Sequence, residues 1–360
     1  YFSHTVKSWH HQIQQLIKSI KEMMSRHYVS PWWAVVGTLF VLNHLQIIQV
    51  QVQVLHHGHV LSSLVPAAAI GEDTSNRELR SLSSSSFADT FPDRNLVLDL
   101  MQLSSDIFDV DDKGISPSDA ISDSKFELVL WIEAEFSTEA MIVRSRSRSL
   151  PPIVVFRGSE ERDDWIVNTN IVRVKSKFQN APDGVEVHRG FQSALFGQDN
   201  DVVGEVEEAV LELIGEEGVG TGGDLGDLIV TGHSLGGANA HITAAYLADK
   251  YPNMKVTMIN FGAPRFGNYD FKSWTEGSLP NLSSWRFVYR ADIIPRIIPD
   301  QLGFRHAGHL HAIYRYDSEV YYRQRGGGEY EGAPMNWYVA TSVRHHKSKT
   351  YVQAFRNNIN

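Results

Sequence analysis

A serine in a glycine-bounded turn has the surroundings best suited to covalent chemistry in this chain. Residues 228–237 read Leu-Ile-Val-Thr-Gly-His-Ser-Leu-Gly-Gly, so Ser234 follows a β-branched run and precedes an alanine-rich stretch. This order of strand, G-x-S-x-G turn and helix is typical of a nucleophilic serine held clear of a sheet. Gly232 and Gly236 would leave the space that a strained turn needs. The pattern therefore predicts a serine nucleophile, with a purely structural turn as the alternative.

A serine hydroxyl becomes a strong nucleophile when a histidine, itself held by a carboxylate, takes its proton. In α/β folds that use G-x-S-x-G, the acid and then the histidine follow the serine along the chain. The strand predicted at residues 285–289 runs directly into Asp292, whose apolar neighbours would keep the carboxylate dry and oriented. Asp292 is therefore the predicted acid, with Asp270 and Asp300 as the alternatives.

The histidine that would act as the base is one of several near the C-terminus. His345 and His346 precede residues that indicate the start of a terminal helix, and such a late loop–helix junction suits the base. His306 lies earlier, where it forms with His309 and His311 a spacing that could also suggest a metal site. No carboxylate pattern accompanies these three histidines, which argues against a metal. Spacing alone leaves the choice of base open.

Composition limits the classes of function. The chain has 360 residues, of which 42% are hydrophobic, and this is enough for one large core or two smaller ones. Its net charge of −9 argues against a nucleic-acid partner. The absence of cysteine excludes disulfide bonds, cysteine nucleophiles and zinc–thiolate sites.

Three regions follow one another along the chain. Residues 1–70 carry basic residues ahead of an apolar run, an order that resembles a signal sequence or signal anchor. Within them, residues 30–55 are the segment expected to associate with a membrane; a cleaved signal and an amphipathic or buried helix are the alternatives. Residues 71–94 are mostly polar and predict a linker, and residues 95–360 form the predicted globular domain. We therefore expect membrane association in the secretory pathway or an organelle, with secretion as the alternative.

Strand patterns alternate with helical patterns in the C-terminal region. Such alternation predicts an α/β fold with a mostly parallel central sheet and helices on both faces. The predicted strands are residues 126–132, 140–143, 153–156, 228–230, 256–261 and 285–289. The predicted helices are residues 94–110, 201–214, 236–251 and 269–274. The Arg-Ser repeat at residues 144–149 lies between two predicted strands and indicates an exposed hairpin tip.

The region from about residue 125 to 355 resembles the class 3 (fungal-type) lipases, which are α/β-hydrolases. Four motifs agree with that family in order, namely Val-Val-Phe-Arg-Gly-Ser at 154–159, Val-His-Arg-Gly-Phe at 187–191, Thr-Gly-His-Ser-Leu-Gly-Gly at 231–237 and Phe-Gly-Ala-Pro-Arg-Phe-Gly-Asn at 261–268. The segment that starts at Asp292, Asp-Ile-Ile-Pro-Arg, is similar to the family's acid motif.

The resemblance assigns roles that spacing leaves open. The family's base lies a few residues before a tyrosine near the C-terminus, which favours His346, five residues before Tyr351, over His345 and His306. It thus implies a catalytic triad of Ser234, Asp292 and His346. It also implies an oxyanion hole formed by the backbone N–H groups of Ser159 and Leu235.

The resemblance further implies a lid and a substrate class. The lid would span residues 160–170, with Trp165 as its apolar, substrate-binding face. The expected reaction is hydrolysis of a tri- or diacylglycerol, or of the sn-1 ester of a glycerolipid, at a membrane or lipid-droplet surface and without a metal or organic cofactor. A non-enzymatic signalling or scaffold protein on the same fold and an esterase for small esters are the alternatives.

Overall fold

Two β-sheets organise the part of the chain that the structure describes. The computed structural model describes residues 92–122, 124–134, 138–158, 171–197, 201–216, 226–290, 292–298, 300–316, 319–325 and 343–356. The strands are β1 (Phe126–Ala134), β2 (Thr138–Ser145), β3 (Ile153–Phe156), β4 (Arg173–Lys175), β5 (Glu186–His188), β6 (Asp227–His233), β7 (Lys255–Phe261), β8 (Leu282–Tyr289), β9 (His309–Tyr316) and β10 (Glu319–Arg325). The helices are α1 (Arg94–Asp106), α2 (Asp109–Lys113), α3 (Pro117–Ala120), α4 (Arg189–Leu195), α5 (Val202–Glu216), α6 (Leu235–Lys250), α7 (Tyr269–Ser278), α8 (Ile294–Ile297) and α9 (Ser348–Arg356).

The centre of the larger sheet is parallel. Its strand order is β1-β2-β3-β6-β7-β8-β9-β10, and the neighbouring pairs from β3 to β9 all run parallel. Strands β6, β7 and β8 are buried along nearly their whole length, as parallel strands covered by helices on both faces must be. The prediction of an α/β fold with a mostly parallel sheet is confirmed.

Both edges of this sheet are antiparallel, and the sequence analysis anticipated only the hairpin at residues 144–149. β1 pairs with β2, β2 with β3 and β9 with β10 in antiparallel register. Each pair is joined by a short connection, which closes a hairpin, whereas parallel neighbours need a crossover of about a dozen residues. The Arg-Ser repeat lies at one such turn, and residues 146–149 are exposed there as predicted.

Helix α1 is a part of the core. The helix predicted at residues 94–110 ends at Asp106, and α2 follows after a short break. Asp93 caps its first turn by accepting hydrogen bonds from the N–H groups of Asn95 and Leu96. Its apolar residues join one buried cluster with residues of β7, β8 and α9, among them Val97, Leu100, Met101, Phe261, Trp285, Tyr351 and Phe355. The first and last helices therefore stabilise the same face of the sheet.

The predicted N-terminal segment, residues 1–70, and most of the predicted linker lie outside the described residues. Among the residues that the structure does describe, no helix is both long and apolar enough to cross a membrane.

Candidate active site

The turn after β6 holds Ser234 in a backbone conformation that needs glycine on both sides. Ser234 has φ 60° and ψ −127°, in the left-handed region that side chains rarely adopt. A Cβ atom at Gly236 would lie 2.2 Å from the carbonyl oxygen of Phe156, and one at Gly232 would lie 2.4 Å from that of Gly236. Since real Cβ atoms do not approach backbone so closely, both positions require glycine. The turn therefore projects the serine at the carboxyl edge of the sheet.

His346 lies within hydrogen-bond distance of both Ser234 and Asp292. The Oγ atom of Ser234 is 2.7 Å from Nε2 of His346, and Nδ1 of His346 is 2.9 Å from Oδ2 of Asp292. His346 is 3% exposed and Asp292 is fully buried. A serine, an imidazole and a carboxylate in this order can transfer a proton away from the serine hydroxyl.

Two further donors hold the Asp292 carboxylate. The backbone N–H of Ile294 donates to Oδ1 at 3.0 Å, and the hydroxyl of Tyr351 donates to Oδ2 at 2.6 Å. The same hydroxyl accepts a 3.0 Å hydrogen bond from the N–H of Tyr289. Burial, together with the charge of Asp292, raises the pKa of Tyr351 well above its ordinary value, so this phenol stays protonated. Sequence analysis used Tyr351 only as a landmark for the histidine and missed this contact.

The alternative acids and bases lie elsewhere. Nε2 of His306 lies 2.8 Å from the carbonyl oxygen of Pro295, and the ring of His345 meets the edge of Tyr289 at 5.6 Å between centroids. Asp270 lies in the first turn of α7 against Gly184, and Asp300 begins a short 3-10 turn after α8. Within the described residues, no group of three or more histidines and carboxylates is arranged to hold a metal ion.

His233, the residue before the serine, stacks on the ring of His346. Their centroids are 4.5 Å apart and their planes differ by 29°, while the edge of Tyr351 meets His233 at 5.4 Å. The stacked ring of His233 restricts the orientation of the His346 ring. The Gly-His-Ser motif contains His233, but no local sequence pattern links position 233 to position 346.

Gly158, two residues after β3, lies against the turn that carries the serine. A Cβ atom at Gly158 would lie 2.8 Å from the carbonyl oxygen of His233 and 3.2 Å from Cβ of Ser234, so this approach requires glycine. The guanidinium of the preceding Arg157 donates to both carboxylate oxygens of Glu139 at 2.7 and 2.8 Å, and both side chains are largely buried. This ion pair, which sequence analysis missed, holds the backbone that leads into the predicted oxyanion hole. Leu235 begins α6 and is buried, whereas Ser159 and Trp165 lie outside the described residues.

Part of this chain matches a known family. Residues 153–302 match the family model described as lipase (class 3). This region of the chain is similar to the class 3 lipases. The resemblance inferred from the four motifs is thereby confirmed, and it covers the strands and turns that hold Ser234 and Asp292.

Two fungal lipases are among the curated relatives of this region. The lipase of Rhizomucor miehei is 28% identical over 193 residues, which cover 53% of this chain and 48% of that protein. Secreted mono- and diacylglycerol lipase 1 of Fusarium solani is 32% identical over 155 residues, which cover 43% of this chain and 41% of that protein. The match thus spans about half or less of each relative's length.

Solved structures share the fold of the domain. One, a triacylglycerol lipase whose catalytic centre is described as a serine protease triad, aligns with a TM-score of 0.54 at 25% identity and covers 70% of this chain and 91% of that one. Lipase II from Rhizopus niveus aligns with a TM-score of 0.55 at 23% identity, covering 70% and 92%. The α/β-hydrolase fold expected from the sequence is therefore confirmed.

Proposed function

We propose that this chain is a serine hydrolase that cleaves acyl esters of glycerolipids. The observation that carries the proposal is the pair of hydrogen bonds from Ser234 to His346 and from His346 to Asp292, at 2.7 and 2.9 Å. Ser234 attacks the acyl carbonyl, His346 takes the hydroxyl proton and gives it to the leaving alcohol, and Asp292 stabilises the imidazolium that forms. Water then releases the fatty acid by the same route.

The proposed oxyanion hole consists of the backbone N–H groups of Ser159 and Leu235. Leu235 is the first residue of α6, where N–H groups have no partner within the helix and the helix dipole favours negative charge. The close approach of Gly158 to Ser234 supports a second donor from the following residue. Each donor would stabilise the tetrahedral intermediate by about 3 kcal/mol.

The substrate class follows from the relatives. One relative is described as a mono- and diacylglycerol lipase and one structural neighbour as a triacylglycerol lipase, which supports acylglycerols as substrates of this chain. Another neighbour is described as a model for interfacial activation, which supports action at a lipid surface; the lid at residues 160–170 with Trp165 stays a prediction. Two relatives are described as secreted, so secretion is the proposed location, and membrane association through residues 30–55 is the second candidate.

A fluorophosphonate probe tests the serine directly. The folded protein should be labelled on Ser234, and Ser234→Ala should abolish labelling and ester hydrolysis together. Ser147→Ala is the matched control, because Ser147 is exposed on the β2–β3 hairpin and its removal should change neither result. A folded protein that the probe does not label would contradict the proposal and favour a non-enzymatic function.

The chain-length dependence tests the substrate class. Emulsified diacylglycerol and triacylglycerol should be hydrolysed faster than water-soluble esters of short acids. Equal rates on short and long acyl chains would instead indicate an esterase for small esters.

A further inference from the structure

The segment that carries Asp292, residues 292–298, contains only one short helix. β8 ends at Tyr289, and Arg290 then adopts a left-handed φ of 49°, so Asp292 lies beyond the ladder of the sheet. The helix that follows it directly, α8, has only four residues. Because a single helical turn is unfavourable alone and leaves its last carbonyl groups without helical partners, this segment depends on donors from side chains.

Three buried or partly buried side chains supply such donors, one from within the segment (Arg296) and two from outside it (His306 and Arg265). Nη1 of Arg296 donates to the carbonyl oxygen of Asp292 at 3.2 Å. Nε2 of His306 lies 2.8 Å from the carbonyl oxygen of Pro295. The guanidinium group of Arg265 donates to the carbonyl oxygen of Ile298. The beginning, middle and end of residues 292–298 are each fixed in this way.

His306 is connected to the carboxylate through two neighbouring residues, Pro295 and Ile294. The carbonyl group that it binds belongs to Pro295, and the neighbouring Ile294 donates its N–H to Oδ1 of Asp292 at 3.0 Å. A shift of the Pro295 peptide therefore moves a donor of the carboxylate that faces His346 at 2.9 Å. His306 is 9% exposed, so water does not readily replace its hydrogen bond.

The surroundings of His306 keep its ring uncharged. Burial lowers the pKa of His306 well below its ordinary value, and the nearby guanidinium groups of Arg286 and Arg265 and the ring of His241 lower it further. Its bond to Pro295 opposes this only in part. A neutral imidazole has one N–H, and a carbonyl oxygen only accepts, so the proton lies on Nε2.

We propose that His306 is a positioning residue whose Nε2–H holds the Pro295 carbonyl group and thereby fixes the Asp292 carboxylate against His346. The inference rests on the proposed hydrolase function. It assigns a role to a histidine that sequence spacing offered as a candidate base, and that role requires no proton transfer.

Two amide substitutions of His306 separate its hydrogen bond from its bulk. The amide nitrogen of Gln reaches about as far as Nε2 of histidine, whereas that of Asn reaches only as far as Nδ1. His306→Gln should therefore keep kcat for a soluble short-chain ester within about threefold, and His306→Asn should lower kcat by roughly tenfold to a hundredfold with KM nearly unchanged. His306→Leu, which removes the donor at similar volume, should match His306→Asn if it folds.

Proton NMR supplies a readout that does not depend on turnover. A short His–Asp hydrogen bond gives a strongly downfield Nδ1–H resonance, and this resonance of His346 should persist in His306→Gln and move upfield or broaden in His306→Asn. Equal kcat values and an unchanged resonance in the two amide variants, both folded by circular dichroism, would overturn the inference. If the unmodified protein hydrolyses no ester and is not labelled by the fluorophosphonate, the proposed function fails, while the resonance still tests the positioning.

Discussion

Tyr351 donates its phenolic proton to the same Oδ2 atom of Asp292 that faces His346, at 2.6 Å. This oxygen of the proposed catalytic acid thus has two partners: the proposed base, His346, would accept charge during turnover, whereas the phenol stays neutral. The raised pKa of Tyr351 keeps its proton in place throughout the working pH range. The phenol and the base lie on the same C-terminal segment, so the helix that follows His346 also fixes the acid.

Replacing Tyr351 with Phe should lower kcat and stability together. A hydrogen bond to a charged group contributes about 1.5–3 kcal/mol, which corresponds to roughly a tenfold to hundredfold loss if it is expressed in the transition state. The N–H of Tyr289, which donates to this hydroxyl at 3.0 Å, also loses its acceptor. The measurements are steady-state kinetics and thermal unfolding. Tyr246→Phe removes a phenol near Glu207 and Lys250 and should leave kcat unchanged; an equal loss in both variants would contradict the assignment.

A methyl group at position 262 should displace the side chains of the site without removing any of them. Gly262 has φ +61°, and a Cβ atom there would lie 2.7 Å from Oδ2 of Asp292, 2.9 Å from the hydroxyl of Tyr351 and 3.2 Å from Cε1 of His346. Gly262→Ala should therefore displace the acid or the base and lower kcat by about a hundredfold.

Gly114 provides a matched control for that substitution. It has nearly the same φ, +60°, but a Cβ atom there would meet nothing within 4 Å. Gly114→Ala should cost about 1–2 kcal/mol of stability from backbone strain alone and keep full activity. If Gly262→Ala behaves like Gly114→Ala in both unfolding and kinetics, the three side chains around Gly262 do not form a working site.

The sequence located the parts of this site that depend on local pattern. Ser234 follows a β-branched strand between two glycines, and Asp292 follows the end of another predicted strand; both features involve only a few consecutive residues. The parallel centre of the sheet followed from the alternation of strands and helices for the same reason. Spacing could not choose among His306, His345 and His346, and the family resemblance was needed to favour His346.

Contacts between distant positions were beyond the reach of such patterns. Tyr351 and Asp292 are 59 positions apart, and Arg157 and Glu139 are 18 apart on different strands. A single sequence carries no signal that pairs them, because each residue taken alone also suits an exposed loop or strand. Of the antiparallel pairs at the edges, only β2–β3 was anticipated, through the hairpin tip at residues 144–149, because short connections, rather than the strand residues themselves, decide the direction of pairing.

Removing the carboxylate of Glu139 should destabilise the domain. The bidentate hydrogen bonds of 2.7 and 2.8 Å to Arg157 are buried, and losing one partner of a buried ion pair costs about 3–5 kcal/mol. Glu139→Gln keeps the shape of the side chain and should therefore lower the free energy of unfolding in urea. It should also reduce kcat, because Arg157 directly precedes Gly158, which lies against Ser234. Asp183→Asn is the control, since it removes an exposed ion pair with Lys175 and such pairs contribute little. Similar stability of the two variants would show that the buried pair does not hold this backbone.

Asp106 should make stability fall as pH rises through the weakly acidic range. Burial, the largest cause, raises its pKa from 3.8 to about 6, although Gln102 donates to its carboxylate. Because the folded protein binds this proton more tightly than the unfolded chain, the contribution to stability is full below about pH 4 and is lost above about pH 6. Asp106→Asn should therefore match the unmodified protein near pH 4 and exceed it near pH 7.5 by about 1–2 kcal/mol, after allowing for the exposed part of the side chain. Unfolding in urea across this range measures the difference. The exposed Asp227→Asn variant is the control, and a pH-independent gain in Asp106→Asn would contradict the assignment.

Truncation at two points should separate helix α1 from the segments before it. A protein that starts at residue 90 keeps Asp93, the cap of α1, and the buried residues Val97, Leu100 and Met101. It should fold, hydrolyse a soluble ester and bind lipid vesicles less than the full chain. A protein that starts at residue 108 loses those side chains, each of which contributes about 1.5–3 kcal/mol through burial. Since a domain is stable by only about 5–15 kcal/mol, the protein that starts at residue 108 should unfold at or near room temperature.

If the protein that starts at residue 90 fails to fold, residues 1–70 belong to the core and the predicted boundary is wrong. If the one that starts at residue 108 melts like the full chain, α1 does not support the sheet that carries the serine.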